Sequence, residues 1–421
     1  MPNIILTVKG TGGDLFPFVG IGTLLKRRGH DVTLIHDLEQ AFFTRFYTEL
    51  RRICSLNYVA IDAETQTDLT GNARAPASKS GVRGGTVSPA DPNDYEPTQE
   101  LFAFRVIAEY CRHQSTVLIA NKDLQLVAQA VAEKFALPLL SIYPTPFHLA
   151  SMPMLSDIYR LLAAPVNRFR AAVGLPAISD WEGLLWSSDK YIGLWPAWYA
   201  APDAHGPSSL SLVGFLRDYG AEPTGIPQDI AEFIAGAEPP ILITHGTTAP
   251  DQPGFFSASV EACRQLGLRA VLVSRYEELI PQPLPEGIIW FKYLSLGNLM
   301  PRFRAVIHHG GIGITAQALA AGIPQLVLGF NYDRPDNGAR LQNLGVGRFL
   351  PAILWQPHAV ADALQNLLVS SAVRKRCEEL AGQSNYPDAA ALTCDIIENL
   401  IAEKTRLGAL QQRENNRNAD P

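Results

Sequence analysis

The sequence predicts an α/β protein built from two Rossmann-like domains that face each other across a cleft. Three observations lead there. At 421 residues the chain exceeds what one ordinary hydrophobic core fills, so two domains are expected. Short β-branched runs alternate with stretches of helical periodicity, first near the N-terminus and again from Ile241 onward. Each series contains a glycine-rich turn lying directly between a strand and a helix, KGTGGDLFPFVG at 9–20 and HHGGIGIT at 308–315.

Taken in order, residues 3–8 form an apolar, β-branched run of the kind that fills a buried parallel strand. Past the first glycine turn, Leu15, Phe18, Val19 and Leu25 recur at helical spacing, Gly29 stops the helix, and 32–35 begins a second strand. A further βαβ unit spans 116–120, 124–135 and 139–143. Between these units, residues 72–97 turn to Ala, Gly, Ser, Pro and Asp, which reads as a long mobile loop suited to a lid or an acceptor contact. Residues 152–202 are rich in Leu, Trp and Pro, and LWPAWYAAP at 194–202 reads as the last strand of the first domain. Pro- and Gly-rich text at 217–240 marks a linker. The second series has strands at 241–244, 270–274, 288–293, 305–308 and 325–330. A closing helix near 389–407 precedes a polar segment expected to fray.

Composition narrows the function. Hydrophobic residues make up 47% of the chain, charged ones 18%, and the net charge is −6, so no basic footprint for a nucleic-acid partner exists. The five cysteines, Cys54, Cys111, Cys263, Cys377 and Cys394, are scattered without a CxxC pair and read as reduced core thiols. The N-terminus runs into a strand without a basic leader and no apolar stretch reaches membrane-spanning length, so a cytoplasmic protein is expected, with peripheral contact at the inner face of a membrane left open.

The two glycine turns have opposite electrostatics. In the second, Gly310, Gly311 and Gly313 let the backbone approach a ligand, and the following helix offers orphan N–H groups and about half a positive charge. His309 adds a side-chain donor, and no acidic residue occurs between Val306 and Leu328. These features point to an anion site, the plainer reading being that the glycines serve tight strand–helix packing. The first turn carries Asp14, which repels a phosphate at contact distance. Asp14 is either a helix cap, stabilised by the dipole, or a general base facing the cleft. A base on one wall and an anion hole on the other suit attack of a hydroxyl on a sugar with loss of a nucleoside diphosphate. Such enzymes often neutralise the leaving group with a metal held by an Asp-x-Asp pair. The chain has no such pair, so no metal or other cofactor is expected and the anion hole has to act alone.

The span 298–347, NLMPRFRAVIHHGGIGITAQALAAGIPQLVLGFNYDRPDNGARLQNLGVG, resembles the donor-site signature of the family 1 GT-B glycosyltransferases. Within that family the chain is similar to lipid-directed bacterial enzymes of the rhamnolipid-forming type and to sterol glucosyltransferases. The shared features are the GD-x-x-PF start at 13–18, the PAW stretch at 196–198 and the DNxxRL segment at 336–341. The resemblance implies an acceptor-binding domain at 1–216, the linker at 217–240, a nucleotide-sugar domain at 241–385, a helix at 386–408 returning to the first domain, and a disordered tail at 409–421. It implies Asp14 as the base and Gly13, Phe16 and His148 on the acceptor side. On the donor side Thr247 meets the diphosphate, Tyr293 stacks on the nucleobase, and Leu296 offers backbone groups to its edge. His309 meets the phosphates together with the backbone of Gly311, Gly313, Ile314 and Thr315, Gln317 meets the ribose, and Asp333 meets the sugar hydroxyls. Arg334 stands where the family usually has Gln; Arg accepts no hydrogen bond, so it binds phosphate or a polar sugar substituent, or pairs with Asp336.

Other residues have plainer readings. His308, one position earlier on its strand, reads as structural, and His245 as either a ligand contact or backbone support. His30 and His36 read as surface or packing residues, the Trp181–Tyr199 aromatics chiefly as core, and Lys26, Arg27 and Arg28 as complements to a helix dipole. The expected function is an inverting, metal-independent transfer of a hexose or deoxyhexose from a UDP- or dTDP-sugar to a hydroxyl of a lipophilic acceptor: lipid, sterol, carotenoid or polyketide. Two rivals are a nucleotide-sugar epimerase of the same architecture and a non-catalytic nucleotide-sugar-binding subunit.

Overall fold

The computed structural model describes residues 2–37, 57–61, 97–111, 116–202, 206–216, 226, 228–236, 238–246, 254–384 and 388–419. Cys54, Thr247, nearly all of the polar 72–97 loop and residues 217–225 of the linker lie outside the described residues.

Among the described residues the N-terminal half is a seven-stranded sheet in the order β3-β2-β1-β4-β5-β6-β7. Its strands are β1 (Asn3–Lys9), β2 (Asp31–Asp37), β3 (Asn57–Ala60), β4 (Thr116–Asn121), β5 (Leu139–Tyr143), β6 (Lys190–Gly193) and β7 (Leu210–Leu212). The C-terminal half is a six-stranded sheet in the order β10-β9-β8-β11-β12-β13. Its strands are β8 (Ile241–Thr244), β9 (Ala270–Val273), β10 (Ile288–Phe291), β11 (Ala305–His308), β12 (Gln325–Gly329) and β13 (Gly347–Pro351). Every pairing is parallel. The central strands are buried on both faces, which is why they read as continuous apolar runs.

Strand order reverses between β1 and β4 in one sheet and between β8 and β11 in the other. Open α/β sheets bind ligands in the crevice beyond the carboxyl ends of strands at such a reversal. The two glycine turns follow β1 and β11, so the topology itself sets both at their crevices.

The expectation of a last strand at 194–202 is corrected. The strand is β6, which ends at Gly193, and the final strand of this sheet is β7. Pro196 lacks the N–H that a ladder needs, so the segment turns instead, with Trp195 folded back to bond the Ala200 carbonyl at 3.1 Å. Trp195 and Tyr199 are buried as core.

The closing helix, Ala389–Ala419, runs through the polar segment expected to fray or be disordered. Between Gly408 and the helix end at Ala419 there is no Gly or Pro, and the Gln, Arg, Glu and Ala residues there favour helix. Ala389, Cys394, Ile397 and Leu400 of this helix share one core with Leu15, Phe18, Ile21 and Leu25 of the first helix, Gly12–Arg27. Arg28 pairs with Asp395 at 2.6 Å and with Glu398 at 2.7 Å, and His30 meets Glu398 at 2.8 Å. The basic end of the first helix is thus occupied by the last helix. No helix among the described residues is long and apolar enough to cross a membrane.

Candidate active site

β1 ends at Lys9 and the chain turns at Gly10, whose φ of +131° is open to glycine and strained for other residues. A Cβ on Gly10 would also strike the Asp14 carboxylate. Thr11 is the extended N-cap of the first helix and Asp14 lies in its first turn. The Asp14 carboxylate accepts the Thr11 N–H at 2.9 Å and the Thr11 hydroxyl at 3.2 Å. It therefore caps the helix while standing at the cleft.

Asp14 keeps partial solvent exposure, yet its surroundings are poor in water and rich in negative charge. Burial pushes its pKa up to about 7, the fields of Asp123 and Asp333 push the same way, and the Thr11 bonds pull back. Asp123 is a residue that sequence reasoning missed. It follows β4, the neighbour of β1 in the sheet though more than a hundred positions away in the chain, and its own carboxyl is raised by burial. His148 follows β5, one strand further along. Burial and then Lys122 lower it to about 3, so it is neutral near pH 7, and its Nδ1 is buried without a partner. Phe16 packs against the N-terminal core.

Across the cleft, β11 delivers His308 and His309 to the second glycine turn. His308 is fully buried and its ring is used up: Nδ1 accepts the Gly310 N–H at 3.1 Å and Nε2 meets the Gln325 amide oxygen at 3.0 Å. Burial lowers it to about 4, so it is a neutral structural residue. His309 lies with its ring centroid 4.9 Å from that of His245, which is itself buried against Phe255. Burial first, then His245, Arg334 and His308, push the His309 pKa well below the ordinary histidine range. His309 is therefore neutral and stands next to the buried Arg334 guanidinium.

The helix Ile312–Ala321 begins beside it, with Gly311 as its N-cap and Gly322 closing it in the left-handed region. Three side-chain atoms here are buried without a partner: His309 Nδ1, Thr315 Oγ1 and Gln317 Oε1. Buried polar atoms are nearly always satisfied, so three together mark a place for a polar ligand. Ile314 turns into the core beside Val306 and Ala318, leaving its backbone to the cleft. Gly313 and Ile312 face Gly13 and Pro17 across a narrow crevice, so the two helix N-termini meet there.

Asp333 precedes the helix Arg334–Asn343, and burial raises its carboxyl pKa while a bond from Asn337 at 2.8 Å opposes the shift. Asn331 (φ +63°) and Tyr332 (φ +53°) come just before it in the left-handed region, a strain that sequence reasoning had no signal for. Asp336 pairs with Arg340 at 2.7 Å. Tyr293 is 61% exposed after β10. The Leu296 carbonyl accepts the Leu299 and Met300 N–H groups at 3.1 and 2.8 Å, so both of its lone-pair directions are engaged within the turn. No group of three or more His, Cys, Asp or Glu side chains among the described residues is gathered as a metal site.

Comparison with known proteins agrees with this geometry. Residues 271–400 match the family model described as the erythromycin biosynthesis protein CIII-like C-terminal domain, and residues 4–64 match that of the glycosyltransferase family 28 N-terminal domain. An O-mycaminosyltylonolide 6-deoxyallosyltransferase of Streptomyces fradiae is 27% identical over 96% of this chain and 98% of its own. An uncharacterized glycosyltransferase of Mycobacterium tuberculosis is 25% identical over 94% of this chain and 98% of its own. The crystal structure of the glycosyltransferase VinC in complex with dTDP shares the fold with a TM-score of 0.66 at 16% identity, covering 96% of this chain and 100% of that one. With a parallel sheet in each half, a glycine turn at each crevice and these matches at both ends, the chain is a glycosyltransferase of the GT-B fold, similar to the family 1 enzymes.

Proposed function

We propose that this glycosyltransferase moves a hexose or deoxyhexose from a UDP- or dTDP-sugar to a hydroxyl of a lipophilic natural-product acceptor, with inversion and without a metal. One observation carries the reading: a carboxylate with a pKa of about 7 stands at one helix N-terminus, opposite a second helix N-terminus lined by unpartnered polar atoms. The acceptor hydroxyl gives its proton to Asp14 as its oxygen bonds to the anomeric carbon. The bond from that carbon to the diphosphate oxygen breaks, and the nucleoside diphosphate leaves with the electron pair. Attack from the face opposite the leaving group inverts the centre. The departing charge meets the first-turn N–H groups, the helix dipole, His309 and Arg334, which are fixed in place before the reaction.

The relatives support the substrate class. The Streptomyces fradiae enzyme is named for a deoxyallosyl transfer to O-mycaminosyltylonolide, a family description names erythromycin biosynthesis, and the fold neighbour was crystallised with dTDP. These favour an antibiotic-type acceptor over a sterol, a carotenoid or a simple lipid. A mass-spectrometric screen tests the reading, pairing UDP-glucose, dTDP-glucose and dTDP-rhamnose with macrolide aglycones, sterols and hydroxy fatty acids. The expected result is an adduct of one sugar mass whose anomeric proton coupling shows inversion. An epimerised sugar formed from donor alone, or a retained configuration, would overturn it.

A further inference from the structure

One hydrogen-bond chain crosses from the N-terminal domain into the donor site. Tyr199 lies in the turn after β6, buried, and its hydroxyl donates to the Asn337 side-chain oxygen at 2.8 Å. Asn337 is fully buried one helical turn beyond Asp333. Its amide nitrogen donates to the Gly310 carbonyl at 2.9 Å and to the Asp333 carboxylate at 2.8 Å. A carbonyl and a carboxylate oxygen are acceptors only, so both claim the NH₂ end. The oxygen end must then face a donor, and Tyr199 is that donor. The chemistry of the three partners fixes the amide orientation without ambiguity.

Gly310 belongs to the phosphate turn, and its backbone touches the Arg334 backbone so closely that a Cβ would lie 2.8 Å from the Arg334 oxygen. Asn337 therefore ties together two parts of the site that contact different ends of the donor. We propose that Asn337 is a positioning residue that sets the sugar-side carboxylate against the phosphate turn, and that Tyr199, supplied by the other domain, holds it in the working orientation. Domain alignment and donor alignment are then one event. Tyr199 is well anchored for this, with Phe215 edge-on to its ring at 5.0 Å and the Arg340 guanidinium over it at 5.9 Å. This inference rests on reading Asp333 as the sugar-binding acid.

Two variants test it, with hydrolysis of UDP-glucose or dTDP-glucose as the readout and release of nucleoside diphosphate as the signal. Tyr199→Phe keeps the ring and removes the donor. The expected result is a loss of about tenfold in kcat/KM for the donor, about one hydrogen bond's worth, with affinity for UDP or dTDP alone within about threefold, because His309 and the helix N-terminus still hold the diphosphate. Asn337→Asp places a second carboxylate against Asp333. Its activity is expected to fall as pH rises and the shared proton is lost, a limb that neither wild type nor Tyr199→Phe shows, and that a purely structural role would not produce. Asp333→Asn runs alongside. If it abolishes hydrolysis while Tyr199→Phe stays within twofold of wild type, the positioning role is wrong and the function stands. If Asp333→Asn is as active as wild type, the reading of Asp333 fails and this inference with it. Should Asn337→Asp not fold, Tyr199→Phe decides the question by itself.

Discussion

Thr11 holds the Asp14 carboxylate with two donors, its backbone N–H at 2.9 Å and its hydroxyl at 3.2 Å, while Asp123 and Asp333 press on it with like charge. Burial outweighs the two Thr11 bonds and, together with the like charges, leaves a carboxyl with a pKa of about 7 where an ordinary aspartate has 3.8. A base works only when ionised, so kcat/KM is expected to rise with pH through about 7 and level off above it. Asp14→Asn should lower kcat by roughly 10²–10⁴-fold and leave UDP or dTDP affinity nearly unchanged. The stability effect has the opposite sign. The folded protein retains a proton that the unfolded chain releases above 3.8, so wild type loses stability as pH rises from there to about 7. Asp14→Asn should therefore melt higher than wild type by a margin that grows across that window and then stays constant. Melting curves at four pH values check it.

Thr11→Val isolates one of the two donors. The backbone N–H remains, but the ionised carboxylate loses the hydroxyl bond, which lowers the pKa in the native protein. The acid limb of kcat/KM should move up by about one pH unit or less, given what a hydrogen bond to a charged group contributes. The loss of rate is then larger at pH 6 than at pH 9. A pH profile of the variant that overlays the wild type would show that the hydroxyl does not tune the base.

His309 should take up a proton when a nucleoside diphosphate binds. In the free protein it is held well below the ordinary histidine range, and two phosphate groups beside it reverse that balance. Between the free and bound pKa values, affinity for UDP or dTDP should fall as pH rises. Titration calorimetry in buffers of different ionisation heat measures the uptake directly. His309→Ala should weaken binding about ten- to a hundredfold, in line with the loss of a charge-assisted hydrogen bond, and should abolish the buffer dependence.

Gly310→Ala and Gly345→Ala separate backbone strain from donor geometry. Both glycines have positive φ, +93° and +74°. At Gly345 a Cβ meets only the flexible Arg376 side chain at 3.7 Å, whereas at Gly310 it meets the Arg334 backbone oxygen at 2.8 Å and Val327 at 2.9 Å. Gly345→Ala should cost about 1–3 kcal/mol of stability with normal donor kinetics. Gly310→Ala should cost more and also raise the donor KM, because the Arg334 segment has to move. Equal kinetics in the two variants would count against a coupling of phosphate turn and Arg334.

Much of this architecture is legible in the chain because it is local. The glycine turn at 308–315, its strand and its helix are contiguous, so spacing alone locates this strand–turn–helix. The central strands show as apolar runs because both faces are buried. The edge strands do not: Leu210–Leu212 is three half-buried residues, and Gly347–Pro351 alternates and ends in proline. Apolar content misplaces a strand at 194–202, where Pro196 forbids the ladder. The approach of Asp123 to Asp14 and of Tyr199 to Asn337 comes from sheet order and domain packing, which no short motif encodes.

The last helix belongs to the first domain's core, and a stability experiment can show it. Ile397 is fully buried beside residues of the helix that carries Asp14, although nearly four hundred positions separate them in the chain. Ile397→Ala should cost about 2–5 kcal/mol, the usual range for such a cavity. In a two-domain protein this loss has to be assigned to a domain, and the nucleotide provides the means. UDP or dTDP bound against the C-terminal sheet protects that domain by mass action and leaves the other transition where it was. Calorimetric scans of wild type and variant, with and without the nucleotide, should therefore show the unprotected transition falling in Ile397→Ala while the protected one holds. A drop confined to the nucleotide-protected transition would mean that the closing helix stabilises the donor domain instead.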